Sequence, residues 1–114
     1  MLSNKYFIIT ALAVAVVFAS GCIGQQSIDS TTGNIVIIKD FKFTPSALTV
    51  NVGTTVLWTN EDSVQHTVTS DTGNELGSQY ISDGQSYSHI FNTVGTFDYH
   101  CTPHPFMKGT VIVQ

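Results

Sequence analysis

Residues 99–109 read YHCTPHPFMKG. The thiol of Cys101, the imidazole of His104 and the thioether of Met107 follow a C-x2-H-x2-M spacing, with Pro103 and Pro105 between them. Soft sulfur selects copper, above all Cu(I), while imidazole suits both copper oxidation states. Two prolines restrict the loop that carries these donors, which favours a site already shaped before an ion arrives. Each residue alone has a duller reading: a lone Cys at a strand end is usually buried and inert, and a Met beside a Phe fills a gap in a core. The conjunction of donor types at this spacing outweighs those readings. The missing donor should be a second imidazole, from His66, His89 or His100. His100 adjoins Cys101, so in an extended strand it points to the opposite face. His89 lies mid-strand on the face of Tyr87 and Phe91, in the core or at its rim. His66 follows the polar turn NEDSVQ and opens the run HTVTS, where one loop end can meet another. It is the preferred fourth donor. Two imidazoles, a thiolate and a long axial thioether form the ligand set of blue-copper electron-transfer sites. With no open water position, such a set passes electrons rather than binding a substrate.

The elements that must hold these residues are strands. From Asn34 onward, short runs rich in Val, Ile, Thr and aromatics recur between turn residues: IVIIKDFKF, LTVNV, TVLWTN, HTVTS, SYSHIF, TFDYHC and GTVIV. Gly53, Gly84, Gly95 and Gly109 punctuate them. Several runs alternate at period two, as in Val56/Trp58 against Leu57/Thr59, and no sustained helical repeat follows residue 22. The pattern predicts an all-β antiparallel sandwich of about seven to eight strands. Its expected core is built on Phe41, Phe43, Trp58, Phe91, Phe97 and Tyr99.

The first residues have the layout of a signal peptide: Lys5, an apolar run from Tyr6 to Ser20, then Gly21-Cys22. Ala19-Ser20-Gly21-Cys22 resembles a lipoprotein lipobox, although Ala19 stands where Leu is usual. Residues 1–21 are expected to be a lipoprotein-type signal peptide, and 22–33 a lipidated Cys22 with a flexible tether. An ordinary cleaved signal and an uncleaved anchor are the alternatives. Eleven tether residues, 23–33, span about 18 Å as a random coil. Residues 34–114 then form one domain, on the outer face of the cell membrane or in the periplasm. Beyond the leader, three lysines face eight carboxylates, a net charge of −5. That excludes a nucleic-acid binder, which needs clustered cations. With Cys22 lipidated, Cys101 is the one thiol left, so no disulfide scaffold is possible.

From WTNEDSVQHTV to DYHCTPHPFMKGTVIV, and in the earlier FKFTPSALTVNVGTTVLWTN, the chain resembles cupredoxins of the plastocyanin/amicyanin family. The ligand loop CTPHPFM is most similar to the short amicyanin version. The resemblance covers roughly residues 34–114. It implies a Greek-key β-sandwich holding one type 1 Cu(I)/Cu(II) ion through His66, Cys101, His104 and Met107. It also implies a monomer that shuttles single electrons between redox proteins, docking near His104, Pro105 and Phe106. The thiolate is expected to accept a hydrogen bond from the N–H of Thr67, as the family implies. Pro103 has no N–H to offer it. Asn60, in the turn before His66, is expected to tie the two ligand loops together. The tether departs from amicyanin and is more like the lipoprotein cupredoxins of archaea. Two rivals come from other classes. A copper chaperone or store would need low coordination and exposed sulfur. A structural zinc site would prefer further thiolate or imidazole to a thioether. An enzyme is the least supported class, since no nucleophile–base pair or substrate pocket can be read.

Overall fold

A computed structural model describes residues 34–114. The leader, Cys22 and the tether lie outside the described residues. Eight strands are present: β1 (Ile35–Lys39), β2 (Lys42–Thr44), β3 (Ala47–Val50), β4 (Thr54–Asn60), β5 (Thr69–Ser70), β6 (Ser86–Phe91), β7 (Gly95–His100) and β8 (Lys108–Val113). They make two four-stranded sheets, ordered β2-β1-β4-β6 and β3-β8-β7-β5, with no helix among the described residues. The chain changes sheet at every step from β2 to β7, which gives the Greek-key sandwich.

Alternation decides which residues face inward. In β4, Val56, Trp58 and Asn60 are buried while Thr55 is exposed; in β7, Tyr99 is buried while Thr96 and Asp98 are exposed. The inner faces meet in a core that includes Val36, Ile38, Phe43, Trp58, Phe91, Tyr99, Val111 and Val113. Tyr99 packs in T-shaped contacts with Trp58 at 5.6 Å between ring centroids and with Phe43 at 4.8 Å. Burying each such side chain contributes about 1.5–3 kcal/mol. The core sits directly beneath the ends of β4 and β7, from which the ligand loops leave.

Several expectations need correction. The sandwich is mixed rather than antiparallel: β1 runs parallel to β4 and β3 parallel to β8. A strand that reaches its neighbour by way of the opposite sheet can return in the same direction, and alternation along one strand carries no record of that. The run IVIIKDFKF is two strands, because Asp40 and Phe41 both take left-handed backbone angles, φ 54° and 58°, and turn the chain back. Phe41 is therefore 40% exposed instead of lying in the core, and Phe97 is only partly buried against it. HTVTS is strand only at Thr69–Ser70. His66 makes one isolated antiparallel bridge to Ile81.

Candidate metal centre

Two loops at one end of the sandwich supply the donors. The first, from Glu61 to Val68, is shaped by Asn60 at the end of β4. The fully buried Asn60 side chain accepts from the N–H of Asp62 and donates to the carbonyls of Val64 and Ile81. Those bonds stay within its own loop and the Ile81 segment, so Asn60 does not tie the ligand loops to each other as expected. The tie is made by threonines. The Thr67 hydroxyl accepts from the N–H of Thr102 at 2.8 Å, and the hydroxyls of Thr69 and Thr102 bond at 3.0 Å.

The second loop, Cys101 to Met107, closes on itself. His104 N–H donates to the Cys101 carbonyl, Met107 N–H to that of His104, and Cys101 N–H to that of Met107. Pro105 follows the start of the second of these turns, where its fixed φ is favoured. Cys101 is fully buried and Met107 is 2% exposed. His66 is also fully buried, whereas His104 is half-buried at the surface.

The loops bring His66 Nδ1 and His104 Nδ1 each to 3.5 Å from Cys101 Sγ. Ligand atoms of these three residues all lie within 4.8 Å of one another, and no other such cluster exists among the described residues. An ion about 2.0–2.3 Å from each donor, the usual length of metal–imidazole and metal–thiolate bonds, fits between atoms spaced this way. The sulfur accepts one backbone hydrogen bond, from Thr67 N–H at 3.4 Å, as expected.

Asp62 was not legible as part of the site. Its Oδ2 lies 2.8 Å from His66 Nε2, which fixes the proton there and leaves the Nδ1 lone pair facing Cys101. The same carboxylate accepts the N–H groups of Asp40 at 2.7 Å and Phe41 at 3.0 Å. Partial burial works against its ionisation. The two backbone donors and His66 outweigh that and hold the carboxyl below its usual range. An i, i+4 spacing from a ligand histidine was the signal available, but in a loop it carries no fixed geometry. His89 and His100 stand apart from the cluster, bonded to Glu75 and Asp71 at 2.6 Å each.

The model of copper-binding proteins of the plastocyanin/azurin family matches residues 31–114. The chain belongs to that family. Amicyanin of Paracoccus denitrificans is 40% identical over 84 residues, which span 70% of this chain and 64% of that protein. Amicyanin-alpha of Methylorubrum extorquens is 32% identical over 110 residues, spanning 93% and 92%. A solved structure, the Cu(I) form of a mutant amicyanin, superposes with a TM-score of 0.64 at 41% identity, covering 70% of this chain and 80% of that one. The cofactor of this cupredoxin is copper, and its soft and borderline donors suit that metal.

Proposed function

We propose that this cupredoxin is an electron shuttle whose copper is held by His66 Nδ1, Cys101 Sγ, His104 Nδ1 and the thioether of Met107. The observation that carries the reading is the convergence of two imidazole nitrogens on one buried sulfur, each at 3.5 Å. Bound there, copper would supply a one-electron Cu(II)/Cu(I) couple. The chain's own part is to keep the donors in place through both states. The loop hydrogen bonds, the Thr67–Thr102 tie and the Asp62–His66 contact all restrict rearrangement, and a fixed site needs little reorganisation per electron. Full burial of Cys101 excludes water from the sulfur and argues against a chaperone, which must expose its thiol. His104 at the surface, beside Pro105 and the 69%-exposed Phe106, offers an apolar docking point for redox donor and acceptor proteins. Fusion to a lipidated Cys22 would hold this activity at the outer face of a membrane.

The test is a visible spectrum of the protein loaded with Cu(II). An intense thiolate charge-transfer band that a mild reductant bleaches is expected, with loss of that band in Cys101→Ser. Colourless protein, or a band surviving in Cys101→Ser, sinks the proposal.

A further inference from the structure

The hairpin between β1 and β2 breaks two local rules. Its two-residue turn requires left-handed angles at both central positions, for which Asn-Gly or Asp-Gly is the usual solution, yet the residues are Asp40 and Phe41. A bulky side chain at positive φ is a genuine outlier. The strands leaving the turn also place Lys39 directly opposite Lys42, a repulsive cross-strand pair. Among the described residues neither lysine pairs with a carboxylate. Nothing local therefore favours this turn. What holds it is remote in sequence: both of its central amides donate to Asp62, and Asp62 also receives His66. Costs of this kind persist where the surroundings over-determine them, and they gather at functional sites.

The turn's product is the placement of one ring. The Phe41 ring stands edge-on to His66, at 5.4 Å between centroids and 88°, and to His104, at 4.8 Å and 84°. It also stacks with Phe106 at 6.3 Å and 19°. The two imidazoles are themselves 5.0 Å apart, so the exposed Phe41 ring touches both the buried His66 and the half-buried His104. We propose that Phe41 is a positioning residue for the metal centre: anchored through its backbone by Asp62, its ring clamps both ligand imidazoles and closes the path from solvent to Cys101 Sγ. The inference rests on the ligand assignment above. Its test uses metal-free protein, so a chain that failed to bind copper would still answer.

Phe41→Gly removes the ring and relieves the left-handed backbone, whereas Phe41→Leu keeps bulk and strain. Metal-free Phe41→Gly should melt higher than the native protein yet let a small thiol reagent modify Cys101 at least tenfold faster. Phe41→Leu should melt no higher and stay within threefold of the native rate. Opposite movement of stability and access separates positioning from a merely structural role. A Phe41→Gly rate within twofold of native, or rates that simply follow melting temperature, would overturn the clamp. The Asp62 anchor is read separately by hydrogen exchange. The amides of Asp40 and Phe41 should be protected in the native protein and lose that protection in Asp62→Ala; unprotected native amides would remove the anchor.

Discussion

The Cys101 sulfur receives a single backbone hydrogen bond among the described residues, from Thr67, and Pro103 keeps a second donor away. A thiolate with fewer donors gives more electron density to Cu(II) and so lowers the reduction potential. Pro103→Ala restores an N–H two residues after the sulfur. A hydrogen bond worth about 0.5–1.5 kcal/mol net, felt by one electron, corresponds to a rise of up to about 60 mV. Cyclic voltammetry of the copper-loaded variant checks this, and an unchanged or lower potential counts against it. Tyr99 is a buried polar side chain whose ionisation bears on stability. Burial pushes its phenol up to about 12; the indole N–H of Trp58 pulls it back slightly without reaching hydrogen-bond geometry, and both atoms lack a partner. The neutral phenol is thus favoured in the folded state. Its contribution is fully present below the unfolded pKa of about 10 and is lost as pH rises through 12, about 3 kcal/mol in all. Tyr99→Phe should leave stability at pH 8 within about 1 kcal/mol and fall less steeply at pH 11 in urea titrations. Parallel losses in the two proteins would show that the phenol does not titrate with unfolding.

Between β7 and β8 the fold asks for a residue that the sequence offers in disguise. Gly109 reads as turn punctuation, but it lies inside β8, directly opposite Tyr99. A Cβ at Gly109 would collide with the hydroxyl end of the Tyr99 ring, so its lack of a side chain is what lets that ring pack against β8. Gly109→Ala should cost about 3 kcal/mol, lowering the melting temperature by roughly 12–24 °C for a domain of this size. A loss below about 1 kcal/mol would mean that Tyr99 moves aside freely. Other features divide in the same way between local and long-range signals. The His66–Cys101–His104 cluster was legible in the sequence, because Cys101 and His104 share one short loop and His66 alone of the other histidines follows a polar turn. Four of the six expected core residues were legible too, because alternation records burial. Parallel pairing, the 40–41 turn and the Asp62 contacts were not. Each depends on segments about twenty to sixty residues apart meeting in space, and Asp-Phe carries none of the glycine signal that normally marks such a turn.

Across the full chain, the residues before 34 bear on where the copper domain would act. The apolar run from Tyr6 to Ser20 is 15 residues, about 22 Å as a helix against the roughly 30 Å of a bilayer core. An uncleaved anchor is thus poorly matched. Lipidation at Cys22 would do better provided two acyl chains are attached, because one chain gives only marginal, reversible binding. On the lipidated reading, an unstructured run of the eleven residues 23–33 would span about 18 Å, so the copper domain would stay close to the membrane surface. Replacing Cys22 with Ser removes the acceptor atom and leaves the copper donors untouched. The native protein should pellet with membranes after a high-salt wash, and Cys22→Ser should not reach a lipidated form, while keeping its charge-transfer band once folded. Native protein found wholly in the soluble fraction would instead indicate an ordinary cleaved signal. Cleaved Cys22→Ser that still pellets with membranes would place the attachment elsewhere in the chain.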